Sequence, residues 1–333
     1  MNYQKAASCE KSDAREVTLL SATAGENIAS FEDPARTSLL TGLSGISFVS
    51  EAIGNFTPFE WVTFAYLTWI ELILILFHRN VEHAPRYLAI HLAITACIIW
   101  LVGAADPRKS VICFARHWYP LPLYIFFFEE LQGLVHIFFP GWFDRWLIQF
   151  DFNLAGIHPA AWLAQFANPV LTDAMQFAYM TYFLFLVILP ALLYFERNFK
   201  AFWTVMTATA IAHYGVYVVA VLFPIESPYF SLASLQLPPL TGGPFTATIE
   251  LIEHFGRVHG AAFPSAHVAG STVAILAAYH YRPWLFWVCL PFFVAMCLAT
   301  VYGRYHYVAD VIAGIAVGAI GWSAGQRLPQ RSR

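Results

Sequence analysis

The sequence predicts an all-α fold, a polytopic transmembrane helical bundle of about eight spans. Hydrophobic residues make up 59% of the chain and charged residues only 12%, with a mean hydropathy of +0.57. Soluble domains carry about a quarter charged residues, so this composition is typical of a membrane protein. A helix needs roughly 20 apolar residues to cross a bilayer. Eight runs approach that length: 58–78, 86–104, 118–139, 174–196, 199–223, 266–281, 284–302 and 307–325.

The segments outside these runs differ in character. Residues 1–57 form a polar tail with no basic start followed by an apolar run, so we expect no cleaved signal peptide. Residues 140–173 combine Trp and Phe with acids and Pro, which is typical of the membrane interface. Residues 224–265 form a Pro- and Gly-rich loop, and a loop of this length is often a functional lid. Residues 326–333 form a basic C-terminal tail.

Two polar segments, each just before an apolar run, carry most of the chemical information. The first is Phe263-Pro264-Ser265-Ala266-His267, and the second runs from Gly303 to Asp310. His306 and Asp310 are four residues apart, so they lie on one helix face and can form a hydrogen bond. That bond would fix the imidazole tautomer and leave the other ring nitrogen free as a nucleophile or base.

The same segments offer candidate phosphate ligands. Arg304 carries a guanidinium that suits phosphate oxygens. Ser265 and the free backbone N–H groups at the next helix start, beginning with Ala266, also favour an anion. Arg257 and His259, just before the first segment, are further candidates. The five cysteines and the other ligand-type residues have no metal spacing, so we predict a metal-independent site without a cofactor.

The two segments resemble motifs of the type 2 phosphatidic acid phosphatase superfamily. That family has Lys-x6-Arg-Pro, then Pro-Ser-Gly-His, then Ser-Arg-x5-His-x3-Asp. Here the second motif has Ala266 in place of Gly, and the third keeps His306 and Asp310, whereas Thr300 occupies the position of its Arg. Residues 224–228 stand roughly where the first motif belongs and contain no Lys or Arg.

The string Arg304-Tyr305-His306-Tyr307 looks more like the inositol phosphorylceramide synthase and sphingomyelin synthase branch of the superfamily. The resemblance implies a six-helix core, with the motifs in about 174–325 of a single transmembrane catalytic domain, 58–325. It also implies that His306 is the nucleophile, Asp310 its orienter and His267 the acid for the leaving group. The substrate would be a phospholipid. The phospho-group would pass to water or to a lipid alcohol acceptor, and both outcomes stay open.

Two other classes of function compete with this interpretation. Glu71, Glu129 and Glu130 fall within predicted spans, which is rare in lipid and is also found in transporters. The pairs His78-x4-His83 and His254-x4-His259 invite comparison with membrane di-iron hydroxylases, but the chain has none of their His-rich boxes. Neither class explains the two motif segments. No basic stripe indicates a nucleic-acid partner.

The distribution of basic residues predicts the orientation. With the N-terminus inside, the inner segments hold 13 Lys and Arg residues and the outer segments hold 5. Both motif segments then lie on the outer side. We therefore expect a multi-pass protein of the bacterial inner membrane whose site faces the periplasm.

Overall fold

The computed structural model describes residues 45–106, 110–235, 237–256 and 258–330, and the compact unit is Ser47–Arg333. Its regular structure is helical, with one isolated bridge between Ile225 and Ala261. The helices are α1 (45–54), α2 (Pro58–Leu76), α3 (Ala84–Ala104), α4 (Ser110–Trp118), α5 (Pro120–Leu134), α6 (Asp144–Ala155), α7 (Pro159–Leu163), α8 (Pro169–Phe195), α9 (Phe199–Leu222), α10 (Pro228–Ser231), α11 (Pro244–Gly256), α12 (Ala266–Tyr281), α13 (Pro283–Tyr302) and α14 (Val308–Arg327). The predicted all-α bundle is confirmed.

Each predicted span corresponds to a helix or a helix pair. Within the described ranges, α2, α3, α8, α9, α13 and α14 are long and apolar enough to cross a membrane. The pair α4 and α5 makes a seventh span if the 42° bend between them lies within the membrane. The predicted run 266–281 is α12, which has only 16 residues and packs among α8, α9, α13 and α14. It is therefore an enclosed central helix rather than a lipid-facing one.

The centre of the bundle is packed closely enough to fix the spacing of the motif segments. A Cβ on Gly314 of α14 would lie 2.8 Å from the Ser265 carbonyl oxygen, and one on Gly318 would lie 2.5 Å from that of Ala269. Only a residue without a side chain allows this approach, as is common between membrane helices. The start of α14 is thereby held against the start of α12.

The segment predicted to lie at the membrane interface and the segment predicted to be a loop both contain helices. Residues 140–173 contain α6 and α7, and residues 224–265 contain α10 and the 13-residue α11. Pro and Gly at the ends of α11 gave the impression of a continuous loop. The long connection before α12 therefore includes a helix that packs on α8.

The acidic residues within the spans have different environments. The Glu130 and His91 side chains are both fully buried, and Glu130 Oε1 lies 2.7 Å from His91 Nε2. This pair joins α5 to α3, as expected for an acid that is stabilised by a partner inside a membrane protein. Glu129, the next residue, lines the cavity described below.

Candidate active site

His306 is held in one orientation by two oxygen acceptors. It lies in the turn between α13 and α14 and is only 5% exposed. Its Nδ1 is 2.8 Å from the Ala262 carbonyl oxygen and 3.2 Å from Asp310 Oδ2. A ring nitrogen between two acceptors carries the hydrogen, so Nε2 keeps its lone pair. His306 lines a cavity, and Nε2 is the nitrogen available for chemistry there.

Asp310 is the fully buried partner that the four-residue spacing predicted. Its Oδ2 accepts hydrogen bonds from the His306 ring and from the Tyr307 backbone N–H at 2.8 Å. The carboxylate therefore holds both the imidazole and the backbone beside it. Ala262, the second acceptor, lies 44 residues from His306 in the sequence and had no signal there.

His267 stands in the first turn of α12 and faces the same cavity. Its ring centroid is 6.0 Å from that of His306. Its Nε2 lies 2.9 Å from the Tyr179 hydroxyl oxygen, and the Tyr182 ring packs against it with centroids 4.4 Å apart. The two tyrosines of α8 were not predicted as site residues, since one Tyr in an apolar helix has no distinguishing pattern. The structure thus brings both predicted histidines together and adds an aromatic wall.

Ser265 caps α12 and is fully buried. Its Oγ accepts the Val268 N–H at 3.3 Å, and its own N–H donates to the Asp310 carbonyl oxygen at 3.1 Å. These bonds join the starts of α12 and α14. The cavity lining includes Ala266 but not Ser265. Phosphate binding by either residue therefore stays a prediction, with Ser265 also serving as a helix cap.

Arg304 does not line the cavity that holds the two histidines. Its backbone is left-handed, with φ = 62°, and its guanidinium Nη2 donates to the Pro238 carbonyl oxygen at 2.5 Å. Burial lowers the pKa of Arg304. The side chain is not among the residues that line the cavity. The guanidinium contacts the connection between α10 and α11, and phosphate binding by Arg304 stays a prediction.

The two further candidate ligands have different outcomes. Arg257 lies outside the described residues. His259 lines the cavity, with Nε2 2.7 Å from Glu226 Oε1, and its backbone N–H donates to Gln132 Oε1 at 3.1 Å. Glu226 belongs to the 224–228 segment and also lines the cavity. His259 is therefore paired with a carboxylate at the cavity wall.

The cavity has a volume of about 460 Å³ and two chemically distinct parts. His267 and His306 stand in the polar part with Tyr179 and Tyr305, whose tilted rings have centroids 4.5 Å apart. The other part lies between α5, α8 and α11 and is lined by Leu121, Ile125, Phe128, Phe183, Leu186, Val187, Ile249 and Ile252. The described lining contains the carboxylates of Glu129, Glu226 and Glu253 but no Lys or Arg.

The arrangement supports nucleophilic chemistry beside an apolar binding surface. In the part of the chain that the structure describes, no group of three or more His, Cys, Asp or Glu side chains could hold a metal ion. The residues that are well placed are a buried imidazole with a fixed tautomer, a second imidazole and the N-terminus of α12. Together they can attack an electrophile such as phosphorus and protonate its leaving group.

Comparison with known proteins identifies the family. A family model described as the PAP2 superfamily matches residues 145–324, more than half of the chain and both motif segments. The search of curated proteins gives no significant match. Neither does the search of solved structures.

Proposed function

Because the chain belongs to the PAP2 superfamily, whose function is phosphatase-like and related to lipids, we propose that it is an integral-membrane lipid phosphatase or phosphotransferase with His306 as its nucleophile. The family match and the six apolar helices support a membrane location. The phosphohistidine step, the transfer to a lipid alcohol and the likeness to the inositol phosphorylceramide synthase branch belong to this proposal.

The observation that carries the proposal is the pair of oxygen acceptors at His306 Nδ1, from which its tautomer follows. Its Nδ1–H is directed at the Ala262 carbonyl and at Asp310, so the Nε2 lone pair is available at the cavity. In the first step Nε2 attacks phosphorus, a P–N bond forms, and the bond from phosphorus to the leaving oxygen breaks. His267, in its protonated form, gives its proton to that oxygen, and an alcohol departs.

The second step restores the enzyme. Neutral His267 takes a proton from water or from a lipid hydroxyl, whose oxygen attacks the phosphorus and breaks the P–N bond. Water gives a phosphatase, and a lipid hydroxyl gives a phosphotransferase. The Tyr179 hydroxyl, 2.9 Å from His267 Nε2, is placed to keep that ring oriented in both steps.

The apolar part of the cavity supports a lipid substrate. Ile125 of α5 and Phe183 and Val187 of α8 line it and are each more than a third exposed. An exposed apolar lining of this kind suits an acyl chain. A soluble phosphate ester would leave these residues without an apolar partner.

No arginine is among the described residues that line the cavity, so other groups would have to balance the charge of a phosphate. Ala266 and His267, the first two residues of α12, line the cavity, so the positive end of the helix dipole lies beside the histidines. A phosphate anion beside His267 favours the protonated ring, which then adds a full positive charge before the proton is transferred. Both contributions act where the phosphoryl group would lie between the two rings.

The test is product identification with the purified protein in detergent micelles. Phospholipids with a labelled phospho-group are supplied alone, with ceramide and with diacylglycerol. The proposal predicts label in free phosphate or headgroup phosphate, or in a new lipid, and no product from His306→Ala. A His306→Ala variant as active as the wild type would contradict it, as would the absence of turnover for every lipid offered to the folded wild type.

A further inference from the structure

Two carboxylates on α6 lie against residues 303–307, the turn between α13 and α14 that carries His306 and is called the catalytic turn below. Asp144 and Asp151 are seven residues apart, which places them on one face of the helix. Both are buried, whereas Trp146 on another face is 71% exposed. An acid on an amphipathic surface helix usually faces water. These two face the protein instead. They contact the catalytic turn, the first residues of α14 and the backbone of Glu226.

Asp151 binds the first two backbone N–H groups of α14. Its Oδ2 accepts from Val308 at 2.9 Å, and its Oδ1 accepts from Ala309 at 3.0 Å. The N–H groups of a first helical turn have no partner within their own helix. A carboxylate there satisfies them and is favoured by the helix dipole. Asp151 therefore caps α14 from another helix, two residues after His306.

Because Asp151 caps α14, the Asp310 carboxylate is available to accept the hydrogen bond from the His306 ring. Asp310 is the third residue of α14, where a carboxylate often binds the backbone N–H of the residue that precedes the helix. Here Asp151 satisfies Val308 and Ala309, so Asp310 Oδ2 binds the Tyr307 N–H at 2.8 Å and the His306 ring at 3.2 Å. Asp310 Oδ1 is buried and has no hydrogen-bond partner among the described residues. Without Asp151, the unpaired Val308 and Ala309 N–H groups would be drawn to that oxygen and would turn the carboxylate from the His306 ring.

Asp144 holds the residue next to the nucleophile. Its Oδ1 accepts from the Tyr307 hydroxyl at 2.7 Å, and its Oδ2 accepts from the Glu226 N–H at 2.9 Å. It therefore joins the catalytic turn to the segment that carries Glu226 to the cavity. Burial raises the pKa of both Asp144 and Asp151, and the hydrogen bonds that they accept oppose that rise.

We propose that Asp151 and Asp144 are positioning residues of the catalytic site, with α6 acting as the element that fixes the His306–Asp310 pair. This proposal rests on the proposed function, because it assumes that His306 carries the reaction. If Asp151 were only a structural cap, its loss would lower stability without a specific effect on catalysis. As a positioning residue, Asp151 should affect kcat through Asp310.

The first test compares Asp151→Asn with a matched control in micelles of short-chain phosphatidic acid. Asp173 provides the control, because its Oδ1 likewise accepts two backbone N–H groups, from Gly243 and Thr246, at the start of α11. Asp151→Asn should lower kcat about 10- to 100-fold with KM within about twofold, as expected for a displaced reacting group. Asp173→Asn should leave kcat within about threefold of the wild type.

The second test separates positioning from general stability. Asp151→Asn is also made in an Asp310→Asn background. If Asp151 acts through Asp310, the second substitution should cost less than about threefold there, a strong departure from additivity. An equal loss of kcat in both backgrounds would overturn the inference, as would a wild-type kcat for Asp151→Asn. Turnover that persists in His306→Ala would instead overturn the proposed function, so the two failures are distinguishable.

Discussion

Replacing Asp310 by Asn should weaken the reaction far less than removing His306. The substitution keeps the shape of the side chain but removes its charge and leaves one oxygen instead of two. In the wild type that carboxylate shares the His306 Nδ1–H with the Ala262 carbonyl, which is the nearer acceptor, at 2.8 Å against 3.2 Å. The carbonyl oxygen can therefore maintain the tautomer in which Nε2 is unprotonated.

The expected loss follows from one charge-assisted hydrogen bond. Such a bond contributes about 1.5–3 kcal/mol. A barrier that rises by this amount lowers the rate about 10- to 150-fold, at 1.36 kcal/mol per factor of ten. His306→Ala removes the nucleophile itself and should cost more than about a thousandfold. Asp310→Asn should thus lie clearly between the wild type and His306→Ala.

The assay is kcat for release or transfer of a labelled phospho-group, with folding checked by the elution profile of the purified protein. His306→Ala serves as the lower reference. An Asp310→Asn variant as inactive as His306→Ala would refute the reasoning, because it would mean that the Ala262 carbonyl cannot hold the tautomer alone. A variant with wild-type kcat would refute it in the opposite direction, since the carboxylate would then contribute nothing to the nucleophile.

Four further outcomes are expected. His267→Ala should retain more activity on a p-nitrophenyl phosphate ester than on a lipid ester, because that alcohol leaves without a proton, and equal losses would show that His267 does not act as the acid. Activity should survive EDTA and be inhibited by vanadate, a mimic of the transition state, and a strict need for added divalent metal would contradict the assignment. Burial raises the pKa of Asp144, so its ionised form costs stability once the pH exceeds about 3.9, the usual unfolded value. The unfolding midpoint of Asp144→Asn relative to wild type should accordingly rise with pH above that value, and a falling difference would show that the charge is stabilising. In a background without the native cysteines, a membrane-impermeant maleimide should label Asn153→Cys from the periplasmic side, whereas Gln326→Cys should react only after the inner membrane is opened, and the reverse pattern would invert the orientation.

The sequence alone was sufficient for the long apolar helices and for the pairing of His306 with Asp310. Apolar runs of near-span length determine where helices form, since backbone groups in lipid must be bonded within their own segment. The four-residue spacing of His306 and Asp310 places them on one face of a helical start regardless of the rest of the chain. These features are local, so a linear pattern records them.

Contacts between distant segments were decided by the tertiary structure. The Ala262 carbonyl reaches His306 across 44 residues, Tyr179 reaches His267 across 88, and Asp151 reaches Val308 across 157. Each depends on how helices pack, and no spacing rule relates such partners.

Arg304 is an example of a side chain for which the sequence suggested one contact and the tertiary structure shows another. Its position beside His306 predicted a phosphate ligand, but its left-handed backbone turns the guanidinium to the Pro238 carbonyl. The sequence records neither this left-handed backbone nor the contact with Pro238, which lies 66 residues away in the chain. Residue types and their spacing thus determined which groups are available, whereas the fold determined which of them meet in the cavity.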